Sequence, residues 1–200
     1  MNEKNQDLKD LAKQAIADPE TMKELVENLS GASRRVRQSS ATCLGLVARE
    51  NIEILVEHSA AFVDALNRPE AQTRWECLDI LTKIISFDSR ACDKAIPGAE
   101  SALFDEESGP VRLAAMRFMC RLASTTEFRS ERLWPFIDEG IQCYHGDLEF
   151  PDMIIAVLAF SQGKLSASVK WALAERMNFD AENAKGTLKR YANQIIENVS

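Results

Sequence analysis

Apolar residues recur every three to four positions along most of the chain, which is the period of a helix that buries one face. Val36, Ala41, Leu44 and Val47 form one such stripe, and Val111, Ala115, Met116, Met119 and Leu122 form another. No stretch alternates apolar and polar residues long enough to predict a strand. The pattern predicts a leading helix at 3–17, followed by helix pairs: 20–30 with 33–49, 52–67 with 70–87, 97–105 with 109–124, 130–145 with 151–162, and 165–178 with 181–198. Gly31, Asn67-Arg68-Pro69, Ser108-Gly109-Pro110 and Phe150-Pro151 mark the joins, with Pro110 and Pro151 suited to a first helical turn. Pro97 is expected to split the first helix of the third pair, because it cannot donate to the helix hydrogen-bond ladder.

The pairs repeat. With Arg37, Arg74 and Arg112 set in one column, the gaps are 37 and 38 residues, and Asp152 takes the same place a further 40 on. Leu29, Leu66, Phe104 and Tyr144 stand eight before the anchor, and Ser30, Asn67, Asp105 and His145 seven before. Ala41, Leu78, Met116 and Ala156 follow it by four, and Leu44, Leu81, Met119 and Ala159 by seven. A lone helix pair cannot bury its stripe, so neighbouring pairs must stack into a continuous core with polar ends. The expected organisation is one domain over 1–200, with a capping helix at 3–17 and repeats at about 20–49, 52–87, 97–124, 130–162 and 165–198. Lys185, Lys189, Arg190, Asn193 and Glu197 make the last helix polar enough to close the other end.

Composition agrees with close-packed helices: 46% of residues are apolar and only 7% aromatic, and 25 are Ala. No apolar run reaches the roughly 18 residues of a membrane span. The start MNEKNQDLKD lacks the apolar core of a signal peptide, so a cytoplasmic location without membrane attachment is expected. Cys43, Cys77, Cys92, Cys120 and Cys143 are too widely spaced for a zinc or redox pair and read as free thiols.

Val36-Arg37 with Ala41 and Leu44, Thr73-Arg74 with Leu78 and Leu81, and Val111-Arg112 with Ala114, Ala115 and Met119 resemble the second helix of HEAT repeats, an armadillo-like family. The resemblance implies an all-α fold, an α-solenoid wound as a right-handed superhelix of about five helix pairs. It also implies that the second helices line a concave face that binds protein and sometimes nucleic acid. In that family the anchor Arg often pairs with a turn Asp, and here only Asp105 supplies that acid.

Catalytic chemistry is missing from the pattern. His58 and His145 belong to no HExxH pair, and GxSxG, GxxxxGK[ST] and GxGxxG do not occur. The expectation is therefore a non-enzymatic protein with no catalytic residue, cofactor or metal. Projected onto a helical wheel, the residues one past the anchor are Gln38, Trp75, Leu113 and Met153, and those five past are Thr42, Asp79, Arg117 and Val157. Arg121 follows Arg117 by one turn. Gln38, Thr42, Trp75, Asp79, Leu113, Arg117, Arg121 and Met153 are the candidate contacts for another protein or peptide. Trp134 and Trp171 are expected in the core.

A second resemblance is to HEAT-like DNA-alkylation-repair glycosylases. Trp75-Glu76-Cys77-Leu78-Asp79 is similar to that family's Trp and Asp one turn apart, Arg112 or Arg117 to its following Arg, and Trp171-Ala172-Leu173-Ala174-Glu175 to its later Trp-containing stretch. This implies an alternative function of DNA binding or alkyl-base excision, with a cationic base held between aromatic faces. Ala174 stands where the family has Arg. With 24 basic against 31 acidic residues and a net charge of −7, the chain also lacks the basic footprint of a DNA binder.

Overall fold

The computed structural model describes the backbone of residues 3–200 and the side chains of residues 6–200, so Met1 and Asn2 of the expected domain lie outside the described residues. Among these the chain forms α-helices and short 3-10 turns and no strand. The helices are α1 (Glu3–Ala17), α2 (Pro19–Glu27), α3 (Arg34–Glu50), α4 (Ser59–Ala65), α5 (Ala71–Ile84), α6 (Ser89–Cys92), α7 (Ile96–Leu103), α8 (Gly109–Ala123), α9 (Glu127–Cys143), α10 (Phe150–Ser161), α11 (Ala167–Asn183) and α12 (Gly186–Val199). They divide into two compact units, Met1–Ala102 and Leu103–Ser200.

Helix starts follow local chemistry. Asp18 accepts from the backbone N–H groups of Glu20 and Thr21 at the head of α2, and Ser33, Thr126 and Ser166 cap α3, α9 and α11 in the same way. Pro19, Pro110 and Pro151 sit in first turns, where no N–H is needed. Pro97 is the second residue of α7, and the chain before it winds as the short α6 and a 3-10 turn, so the expected split is a helix start. The first helix of the second pair, expected over 52–67, is likewise a 3-10 turn at Glu53–His58 followed by α4.

In the first unit α3 packs between α1 and α5, and α4 packs on α5. In the second, α8 packs on α9 and α10, and α12 on α10 and α11. The core is built from the second helices: Ala41, Leu44, Leu78, Leu81, Met116, Met119, Val157 and Phe160 are all buried at 1% exposure or less.

These last two residues correct the register of the fourth repeat. The anchor Arg is the fourth residue of α3, α5 and α8, and the fourth residue of α10 is Met153, not Asp152. Met153 is 1% exposed, so it belongs to the core of its unit and is not a surface contact. The sequence alignment slipped by one because Asp152 is polar like the anchor, whereas the helix starts at Phe150.

Arg37 and Arg112 form inter-repeat pairs with acids the repeat pattern did not single out. Arg37 donates to the carbonyl oxygens of Gly31 (2.7 Å) and Ala32 (3.0 Å), and its guanidinium grips both carboxylate oxygens of Glu70, the residue immediately before α5. Two repeats later, Arg112 donates to Asp105 O at 3.0 Å and lies 3.6 Å from Glu149, the residue immediately before α10, and 3.7 Å from Asp147 in the turn. Glu149 can approach because Gly109 has no side chain: a Cβ there would lie 1.5 Å from its carboxylate oxygen. Asp105 turns its own carboxylate onto the N–H groups of Glu107 and Ser108. At both of these joints an acid at the head of the next second helix faces the anchor, and at the Arg112 joint the turn residue Asp147 faces it as well.

Trp171 also departs from its expected core position, being 70% exposed on α11, while Trp134 is half-buried with its ring parallel to Phe160, centroids 6.3 Å apart.

Candidate functional site

The candidate contacts of the first unit lie on the paired second helices α3 and α5. Gln38, Thr42, Trp75 and Asp79 are all half-buried, reachable from solvent yet held by neighbours. Gln72 Nε2 donates to Thr42 Oγ1 at 2.8 Å. Thr42 and Trp75 in turn bond the side chain of Glu76, so two side chains from two helices meet on one carboxylate, with Gln72 behind Thr42.

Glu76 is the group that sequence reasoning missed. It projects between α3 and α5 into a space kept open by Gly45, where a Cβ would lie 2.4 Å from Glu76 Oε2. The space continues as a cleft of about 270 Å³ lined by Gly45, Arg49, Glu76, Asp79 and Lys83. Burial pushes the Glu76 carboxyl above its ordinary range and the charge of Asp79 pushes it further, while Arg49 and the bonds from Thr42 and Trp75 pull it back. Lys83 closes the cleft by donating to Ala48 O at 3.1 Å, and burial, then Arg49, hold its amine below the usual range. A glycine inside a buried helical stripe, facing an acid two residues past the anchor of the next repeat, was the available signal.

A carboxylate kept half-buried beside a second one weakens the fold when ionised. Because the folded protein holds the Glu76 proton more tightly than the unfolded chain, this weakening sets in as pH rises through the raised folded pKa. Glu76→Gln keeps an acceptor for Thr42 and Trp75 and removes the charge. Thermal unfolding of this variant is expected to show a higher midpoint than the wild type at neutral pH. The gain should disappear below the ordinary carboxylate range, where Glu76 is itself neutral.

In the second unit Leu113 is half-buried, and Arg117 and Arg121 are exposed on α8. The aromatic and acidic half of the expected constellation therefore stands in the first unit and the cationic half in the second. Arg121 has interactions within the chain. Among the described residues no group of three or more His, Cys, Asp and Glu side chains is placed to hold a metal ion, and no helix is long and apolar enough to cross a membrane. Cys43, Cys77, Cys92 and Cys120 are buried, and burial raises the Cys43 thiol to about 11, which keeps it from forming a thiolate near neutral pH.

No protein-family model and no curated protein sequence matches the chain. Solved structures do. A designed armadillo repeat protein in complex with the peptide (KR)4 aligns over 98% of this chain and 91% of its own, with a TM-score of 0.79 and 17% identity. A computationally designed armadillo repeat protein for modular peptide recognition aligns over 96% and 91%, with a TM-score of 0.75 and 16% identity. A HEAT-like repeats protein from the archaeon Thermococcus onnurineus NA1 aligns over 96% and 92%, with a TM-score of 0.57 and 12% identity.

Proposed function

The chain has the α-solenoid fold of armadillo and HEAT-like repeat proteins, and on that fold we propose that it is a non-enzymatic interaction scaffold that binds a protein or peptide along its second helices. One observation carries the reading: the Glu76 carboxylate, held by Thr42 and Trp75 over a cleft, at a cost to stability that folding alone does not require. A bound cationic group relieves that cost, because it supplies the compensating charge that burial withholds.

The partner is basic. The chain carries a net charge of −7, and Glu76 and Asp79 stand three residues apart on α5, one turn of one face. Arg49 and Lys83 at the same cleft balance the charge, but Lys83 is committed to Ala48 O. The partner's Lys or Arg reaches Glu76 and Asp79, and Trp75, Gln38 and Thr42 contact the flanking chain. Leu113, Arg117 and Arg121 are separate candidate contacts on α8 of the second unit. Nucleic acid is disfavoured on the same electrostatic grounds, since phosphates approaching this face meet two carboxylates.

The designed armadillo repeat protein supplies a probe, because it holds the peptide (KR)4. Fluorescence anisotropy with labelled (Lys-Arg)4 and the full chain at low salt is expected to show saturable binding. Asp79→Asn or Trp75→Ala should weaken it about tenfold, the loss of one good polar or stacking contact. Absence of saturation, or unchanged affinity in both variants, would remove this face as the binding site. Saturable binding of a labelled DNA duplex that displaced the peptide would favour nucleic acid.

A further inference from the structure

The first helices of the second unit hold a different feature, which owes nothing to the α3/α5 face. Trp134, Asp138, Trp171, Glu175 and Arg176 line a cleft of about 320 Å³ between α9 and α11. Two of the chain's three tryptophans meet here. A Trp that is 70% exposed leaves a large apolar ring in water, although a shift of two residues along α11 would have placed it on the buried side occupied by Leu173 and Met177.

Each wall of the cleft is fixed. Trp134 lies parallel to Phe160, itself 1% exposed, with the two planes 10° apart, so its orientation is set by the core. Arg176 donates to Asp138 through Nε (2.5 Å) and its terminal nitrogen (2.9 Å), and this pairing raises the guanidinium above its usual pKa and cancels both charges. Gln142 adds a third donor to Asp138 at 3.0 Å. Glu175 faces the same cleft, and among the described residues only the neutral amide of Asn178 bonds it, at 3.2 Å, so the site keeps one negative charge. The second unit's described cation–π contacts use Tyr144 and Tyr191 and neither indole; Phe160 covers one face of Trp134, and the 70% exposed Trp171 offers the open stacking surface of the cleft.

Two indoles and one uncompensated carboxylate around a space of this size match a planar cation that can stack and form paired hydrogen bonds. We infer that this cleft binds an arginine side chain from a basic segment of a partner protein, with the guanidinium stacked on Trp171 and Trp134 and held by Glu175. Arginine fits better than lysine: its flat guanidinium stacks on indole and forks onto a carboxylate, whereas an ammonium is a more strongly hydrated point charge.

The three indole N–H signals in a ¹H–¹⁵N spectrum of the full chain separate this site from the α3/α5 face, because Trp75 reports on that face and Trp134 and Trp171 on this one. Titration with a tetra-arginine peptide is expected to shift the Trp134 and Trp171 signals saturably. Glu175→Gln should weaken that binding about tenfold. In Trp171→Ala, an exposed position whose loss leaves Trp75 and the circular dichroism unchanged, the Trp134 signal should no longer move. A tetra-lysine peptide of equal charge should bind more weakly than tetra-arginine. The assignment is overturned if Trp171 does not respond, if Trp134 still shifts in Trp171→Ala, or if Glu175→Gln or tetra-lysine binds as tightly as the reference. A response confined to Trp75 would overturn this site and leave the α3/α5 reading standing.

Discussion

Phe118→Ala is expected to lower stability by about 3–5 kcal/mol, the usual cost of emptying a fully buried aromatic position. Phe118 is 0% exposed on α8, the second helix that packs on both α9 and α10 in the second unit. The loss has two parts: the transfer of the ring to water in the unfolded chain, and a cavity that three helices cannot close without losing other contacts. For a chain of this length each kcal/mol moves the unfolding midpoint by about 2–4 °C, so a fall on the order of 10 °C is expected by calorimetry. Phe128→Ala is the matched control. Phe128 is 71% exposed, and its removal should leave the midpoint nearly unchanged. Equal effects of the two variants would contradict the assignment of the core to the second helices.

Arg37→Ala should also destabilise, through charge instead of volume. Glu70 is only 4% exposed, and Arg37 supplies its compensating charge together with two bonds to the preceding turn. Removing the guanidinium strands a carboxylate in the packed joint between α3 and α5, which is costlier than never having placed an ion pair there. A midpoint lower by several degrees is expected, a smaller change than for Phe118→Ala.

The pH dependence identifies the cause. The hydrogen bond from Arg37 holds the Glu70 carboxyl below its ordinary value, so its stabilisation is present above the ordinary carboxylate range and is lost as pH falls through the lowered folded pKa. The gap between wild type and Arg37→Ala should therefore be widest near neutral pH and shrink in acid. A gap that stays constant with pH would mean that the lost bonds to Gly31 and Ala32 carry the effect. Glu70→Gln in the same scan isolates the carboxylate.

The ladder shows where reading the sequence succeeds and where it stops. Helical period and punctuation marked the second helices well, because a buried stripe and a capping residue are local properties: Ser33 and the stripe from Ala41 to Val47 lie on one stretch of chain. Arg37 was visible as an anchor for the same reason. Its partner was not, since Glu70 lies 33 residues away and looks like any acid before a helix. Met153 was misplaced because a polar Asp152 occupied the column in which the three preceding repeats have arginine, although the helix start sets the register.

The candidate site divides along similar lines. Trp75, Asp79 and Thr42 follow from the helical wheel, since the exposed side of a stacked helix is fixed once the buried side is known. Glu76 does not follow from it. Its position on the wheel borders the buried stripe, and only the missing side chain of Gly45 on the neighbouring helix turns that border into a cleft. Trp171 was assigned to the core from its residue type. Its exposure follows from the phase of α11, in which Val169, Leu173 and Met177 take the buried side. Size and apolarity say that a ring favours burial, while the helix phase decides whether it is buried.

The measurement that bears most directly on the α3/α5 face is the affinity of labelled (Lys-Arg)4 for wild type and Glu76→Gln, followed from neutral pH into the carboxylate range at constant ionic strength. Arg49, Asp79 and Lys83 face the same cleft, so Asp79→Asn is carried in parallel to separate their titration from that of Glu76. The expected result is tight binding by the wild type at neutral pH that weakens as Glu76 takes up its proton, and weaker binding by the more stable Glu76→Gln protein, with the pH dependence that remains in it removed when Asp79→Asn is added. If Glu76→Gln binds the peptide as tightly as the wild type at neutral pH, the carboxylate is a structural group and the proposed binding face is wrong.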